Sequence, residues 1–350
     1  VDKLEQLYEK ALSRRNFVVG AGALGAATAI AGCSDNGAVI TTTTATPTTT
    51  PTPTTTATPA PSYTDNDILN YALNLEYLEA QFYLYAATGA GLATADIGSG
   101  TSTTGTGAGA VTLPAGMTGS QLQLTNLSSL QRQILVEVAY DEQSHVRFLR
   151  SALGTNAVAM PAIDLSFFGP LAVAAGITTV ATGSGSFTPF GNAGFDAFLI
   201  GAFIFEDVGV TAYSGAAPLI SVTGDSNGIL LAAAGILAVE AYHAAYVRTT
   251  LTGNAIAAAA AGTSYPYLTI ANQVSALRAQ LGGGNETMLV LPSSPSTPSA
   301  IVAATPANAI AYARTTDQVH HIVYGNGAVG AKSGGFFPNG TNSIFSVTTT

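Results

Sequence analysis

Two stretches, YDEQSHVRF at 140–148 and VEAYHAAYV at 239–247, each place a glutamate three residues before a histidine: Glu142 with His145, and Glu240 with His243. The second lies in GILLAAAGILAVEAYHAAYV, a run that is otherwise almost wholly aliphatic. An uncompensated carboxylate in an apolar interior is costly enough to force it neutral. Residues i and i+3 stand about 60° apart around a helix, so both side chains of each pair can aim at one point. A carboxylate and an imidazole aimed together in an apolar setting suit a metal ion.

The surrounding residues support that chemistry. Leu135, Val138, Glu142, His145 and Leu149 follow 3,4 spacing, as do Ala233, Ile236, Glu240, His243 and Val247. That is the inward stripe of a packed helix, with the polar pair set into its middle. Two further apolar segments carry a different matched element: Glu76 followed by Tyr83, and Glu206 followed by Tyr213. One carboxylate from each of two helices, with Glu-x-x-His from each of the other two, is the ligand set of a carboxylate-bridged dinuclear site. The predicted ligands are Glu76, Glu142, His145, Glu206, Glu240 and His243. Mixed oxygen and nitrogen donors suit Fe or Mn. Two divalent cations would neutralise the four glutamates, with neutral imidazoles completing the set.

Other ionisable groups need sorting. Glu79 shares the face of Glu76 one turn on, and either replaces it or hydrogen-bonds a ligand histidine. Asp207 points about 100° away from Glu206, so only one of them faces inward. The tyrosine seven residues on selects Glu76 and Glu206. Tyr83 and Tyr213 are candidate donors to the metal carboxylates, or core tyrosines satisfied elsewhere. Glu137 and Asp141 fall off the inward stripe and are expected to be solvated or paired with Arg132 and Arg147. The adjacent His320 and His321 diverge on a helix, so a surface or packing role is expected for them.

Four long segments must position this set. They are predicted as helices over roughly 65–88, opening at Asp65 or Asp67 as the cap, then 125–153, 194–217, and 226–252 ending at Gly253. A fifth is predicted at 266–281 and a sixth helical piece at 306–324. No long stretch alternates like a half-buried strand, so the fold class is all-α: an up-down four-helix bundle with a C-terminal helix and irregular extension. The long connection at 155–192 is explained if helices two and three run parallel, which demands a crossover of full helix length. The Gly/Thr-rich linker at 89–126 reads as a surface insertion. The bundle is predicted over 64–254, with 255–350 as a C-terminal extension packed on it.

The chain has 350 residues, a formal net charge of −9 and only 9% charged residues, which argues against nucleic acid as a partner. Residues 1–32 read as an export signal of the twin-arginine (Tat) type: Arg14-Arg15 precede VVGAGALGAATAIAG, too short to span a bilayer. Ile30-Ala31-Gly32-Cys33 resembles a bacterial lipobox, which makes Cys33, the sole cysteine, a candidate lipid anchor to the membrane. Residues 33–63, rich in Thr and Pro, read as a tether. The expected location is periplasmic or cell-surface. Tat export moves folded proteins, which permits metal loading in the cytoplasm.

The segments NYALNLEYLEAQFY, YDEQSHVRFLRSAL, ARTTDQVHHIVYG and GGFFPNG, with Glu206, Glu240 and His243, resemble the desiccation-related family of ferritin-like proteins of bacteria and plants. The resemblance covers roughly 64–340. It implies a di-iron four-helix bundle in which Glu76 and Glu206 are terminal ligands, Glu142 and Glu240 bridge, and His145 and His243 each bind one ion. The implied activity is oxidase- or peroxidase-type chemistry on O2 or peroxide in oxidative or desiccation stress. A dimanganese catalase-like enzyme and a non-enzymatic scaffold with a structural metal site are the alternatives. A homo-oligomer is compatible with this reading, but the 89–126 insertion argues against the large closed cage of ferritins.

Overall fold

The computed structural model describes residues 63–98, 108–177, 187–221, 228–291, 300–305 and 308–346. Residues 1–62, which carry the expected signal, Cys33 and nearly all of the tether, lie outside the described residues.

The first helix, α1 (Asp65–Thr88), spans the expected residues, but its cap precedes both candidates. Thr64 is the cap, accepting from the Asp67 amide, while the Asp67 carboxylate takes the Thr64 amide at 2.7 Å. Asp67 therefore serves the cap from the first turn. Gly89 closes the helix at φ 76°, a left-handed conformation that glycine adopts without strain. Helix α2 (Ser129–Leu153) opens with the same reciprocal device between Ser128 and Gln131. Helices α3 (Phe195–Ala216), α4 (Ile229–Ala260) and α5 (Tyr267–Gly282) follow, then the short α6 (Thr316–Val323).

Two expected boundaries are corrected. Gly253 does not end α4, which continues to Ala260. The alanines beyond it are the best helix formers and offset the roughly 1 kcal/mol that a helical glycine costs. Only Thr316–Val323 of the piece expected at 306–324 is an α-helix among the described residues.

Two bonds fix the direction of the helices. Thr125 Oγ1 lies 2.9 Å from Asn192 Oδ1, bringing together the starts of α2 and α3. The Ser221 amide donates to Asp65 at 2.8 Å, bringing the end of α3 to the start of α1. Helices α2 and α3 thus run parallel, and the chain between them is the crossover. The crossover fills space as well as spanning it. Its Phe168 and Phe190 join Phe82, Phe198, Phe205 and Phe336 in an aromatic core, with Phe82 stacked on Phe198 at 5.3 Å.

Burial divides the bundle. Every residue of α1 from Ile68 to Leu84 is buried, and α3 is buried nearly all round, whereas α2 and α4 bury one stripe each. The crossover and the C-terminal extension account for the difference, because they cover the outer sides of α1 and α3. Tyr71 of α1 meets His320 edge-on, and Phe205 of α3 meets Phe336 at 4.9 Å. His320 is fully buried, stacked on Tyr324, while His321 bonds the Asn326 carbonyl at 2.7 Å.

The described part of 89–126 lies largely at the surface, as expected, but it is anchored to the bundle. Leu122 and Leu124 are fully buried, and the Leu124 amide donates to the Ala86 carbonyl at 2.9 Å. Two-residue strands β1 (Val111–Thr112) and β2 (Ile163–Asp164) pair in parallel and tie the segment to the crossover. Its apolar side chains close the C-terminal end of α1, which would otherwise face water.

Candidate metal centre

The midpoints of the four bundle helices meet at a group of buried carboxylates. Glu76, Glu142, His145 and Glu240 each offer one ligand atom within 4.8 Å of the others, and Glu142, Glu206 and His243 do the same. Glu142 belongs to both groups, and its two oxygens part between them. Oε2 lies 3.4 Å from His145 Nδ1, and Oε1 lies 3.0 Å from His243 Nδ1. His145 Nδ1 is also 3.2 Å from Glu76 and 3.5 Å from Glu240, and His243 Nδ1 is 3.6 Å from Glu206. The six residues selected by spacing therefore converge on one place, with Glu142 between the two halves. Glu240 joins the His145 group alone at that separation.

Few of these atoms find conventional partners. Both oxygens of Glu142, both of Glu240, Glu206 Oε2 and His243 Nδ1 are buried without an aligned hydrogen bond. The 3.0 Å approach of His243 Nδ1 to Glu142 is thus a close ion-pair contact without hydrogen-bond alignment. Leaving one buried polar atom unsatisfied costs on the order of 1–3 kcal/mol, more if charged. Six of them in one pocket is a donor set waiting for cations, and hard oxygens with imidazole nitrogen fit a pair of divalent ions.

Outer partners orient the inner ones. Asp141 Oδ2 lies 3.2 Å from His243 Nε2, where it can accept the Nε2 proton and leave Nδ1 to a cation when one is bound. The Asp141 side chain remains 41% exposed, as expected, but its partner is His243 rather than an arginine. Arg147 instead grips Asp96 with two bonds of 2.9 Å, and Arg132 donates to the Leu124 carbonyl. The tyrosines do serve the carboxylates, but across the repeat. Tyr83 donates to Glu206, and Tyr213 donates to Glu76. Glu79 is buried beside the same carboxylates and has no hydrogen bond to either ligand histidine.

Electrostatics without cations is strained. Burial, then the neighbouring Glu79, Glu142, Glu76 and Glu206, push the Glu240 carboxyl well above its usual range. Burial, then the same kind of repulsion, does likewise for Glu79. Burial also raises Glu76 and Glu206, with partial relief from His145 and His243 respectively. Burial works against ionisation of Glu142 too, yet the two histidines outweigh it and hold this carboxyl at about 2. Burial lowers the histidines, but the carboxylates overcome it and push each to about 12. Protons fill the place that cations would take.

Two features escaped the sequence reading. Gly209 of α3 faces Glu240: a Cβ there would lie 2.2 Å from Glu240 Oε2. An isolated glycine inside an apolar helix is the kind of signal that marks such a close approach. The second is the fate of Asp207. It turns away from the centre, as its angle to Glu206 requires, and meets Arg248 Nη1 at 2.9 Å and Arg278 Nη2 at 3.1 Å. Glu286 bridges Arg278 and Arg314 at 2.7 Å each, so a buried ion network backs α3 directly behind Glu206.

Comparison with known proteins agrees with this architecture. The desiccation-related protein PCC13-62 of Craterostigma plantagineum is 30% identical over 227 residues, spanning 63% of this chain and 63% of its own. The ferritin-like catalase Nec2 of Nesocodon mauritianus is 29% identical over 295 residues, spanning 79% of this chain and 83% of its own. This chain thus covers somewhat less than two thirds of the first relative's length. Residues 64–253 match the family described as Ferritin-like domain, and with four helices converging on this carboxylate and histidine cluster, the chain belongs to that family.

Proposed function

We propose that this protein holds two Fe or Mn ions and reacts with peroxide or O2, with peroxide disproportionation as the leading activity. The observation that carries the reading is the split carboxylate of Glu142, one oxygen toward each histidine in a water-poor pocket. The catalase name of one relative favours peroxide as the substrate. The ion pair, when bound, supplies two-electron exchange, so that two peroxide molecules become one O2 and two waters. This chain's residues do the rest. Glu76 and Glu206 are held in place by Tyr213 and Tyr83. Burial keeps both tyrosine hydroxyls protonated as donors. Asp141 fixes the His243 ring, and the aromatic and aliphatic walls exclude bulk water.

Elemental analysis of the purified protein, with an oxygen electrode after peroxide addition, tests the reading. Two Fe or Mn per chain with steady O2 release is the expected result. Absence of both metals from protein with all six ligands intact sinks it. Metal without O2 release moves the function to oxidation by O2 or to a structural role. We place the protein outside the cytoplasm, exported through residues 1–32 and tethered by lipid on Cys33, in protection against oxidative or desiccation stress. Mass spectrometry of the mature N-terminus tests the anchor, and Cys33→Ser should release the protein from membranes.

A further inference from the structure

A cavity of about 270 Å³ lies at one end of the bundle, where α1 begins, α2 and α3 end and α4 begins. Peroxide and O2 need far less room. An apolar cavity of about 150 Å³ suffices to hold benzene, so this one has space for a substituted aromatic ring. Its walls are mixed: Leu69, Leu149 and Ala233 supply the apolar part, with Phe148 at the open side. Asn66 and Ser151 add polar groups near solvent, and among the described residues no Asp, Glu, Lys, Arg or His lines it. A charged ligand would leave water here without a counter-charge, whereas a neutral one with a single polar group would not.

The inner wall includes Tyr213, the residue whose hydroxyl donates to Glu76. A molecule seated in the cavity therefore touches a side chain that touches a metal-site carboxylate. We propose that this cavity is a binding site for a neutral, single-ring phenolic compound, placed one residue from the metal centre. Its role as an organic co-substrate rests on the redox reading above; its binding does not.

Phenol is the probe, titrated into the metal-loaded protein by calorimetry. Saturable binding at one site per chain is expected. It should weaken at least about tenfold in Ala233→Phe, which fills the cavity, and in Ala152→Phe at its exposed rim. Metal content and melting temperature report whether each variant is folded, and the rim variant keeps the test alive if the inner one is not. Benzoate, the same ring with a charge, should bind at least about tenfold more weakly. Absence of saturable phenol binding, equal binding in both folded variants, or benzoate binding as tight as phenol overturns the proposal. Phenol should also perturb the optical spectrum of the metal centre in the wild type and not in Tyr213→Phe. The same perturbation in that variant overturns the link through Tyr213. Loss of peroxide turnover with intact phenol binding would refute the proposed function and leave this site standing.

Discussion

Gly209→Ala separates the needs of the fold from those of the metal centre. In a helix interior, alanine in place of glycine ordinarily stabilises by about 0.5–1 kcal/mol. At Gly209 the new methyl would sit 2.2 Å from Glu240 Oε2 and 3.2 Å from its carboxyl carbon. Ordinary van der Waals contact lies near 3.4 Å or beyond, so the carboxylate must retreat by about 1 Å. In the metal-free protein that retreat is cheap, because neither Glu240 oxygen has a hydrogen-bond partner to lose. Metal-free stability should then change by less than about 1 kcal/mol in either direction. In the loaded protein Glu240 is held by a metal, and disturbing even an outer partner of a ligand costs about 10–100-fold in affinity. A displaced ligand should cost at least about 100-fold, which is about 2.7 kcal/mol. The control is Gly253→Ala, an exposed position of α4 whose Cβ would meet nothing within 4 Å. It should stabilise both forms alike. Competition with a chelator gives the affinity, and melting curves with and without metal give the stability. Unchanged metal affinity in Gly209→Ala, or collapse of its metal-free form, would refute the reasoning.

Three other outcomes follow from the same geometry. Glu142→Ala and Glu240→Ala should each abolish binding of the second ion, whereas Glu137→Ala, on the exposed face of α2, should leave stoichiometry intact; equal losses in elemental analysis would overturn the assignment. Asp141→Ala should weaken metal binding about 10–100-fold with little change in fold, and wild-type affinity would mean that His243 needs no outer partner. The metal-free protein should lose stability as pH rises. The two histidines, lifted from 6.5 to about 12, contribute stability that is full below 6.5 and fades above it. The raised carboxyls of Glu79 and Glu240 act in the same sense from 4.5 upward. Metal loading should release protons and flatten this profile, and melts at pH 5 and pH 9, each with and without chelator, give the comparison. A metal-free protein more stable at the alkaline end would contradict it.

The helices and the donor set were legible because both rest on periodicity. Apolar residues at 3,4 spacing fix which face of α2 turns inward, so Glu142 and His145 could be separated from Glu137 without coordinates. What periodicity does not carry is which helix lies opposite. Each tyrosine was paired in sequence with the glutamate of its own helix, yet Tyr83 reaches Glu206 and Tyr213 reaches Glu76, because α1 and α3 run antiparallel. Asp141 is the surface-facing group expected, but its partner was missed for the same reason: it comes from α4. In the linker at 89–126, Gly and Thr correctly suggested exposure, while the few leucines that anchor it gave no periodic signal. Arg278, Glu286 and Arg314 gave no local sign of their network, which joins residues far apart in the chain.

The crossed tyrosines make neither half of the repeat a site in its own right. The α1–α2 hairpin keeps Glu76 but borrows its proton donor from α3, and the α3–α4 hairpin is in the same debt to α1. The two hairpins are interlocked by reciprocity, so cutting the chain in the crossover would leave two incomplete pieces. Two molecules opened at that crossover and exchanging their second hairpins would rebuild two whole sites, each with every donor restored.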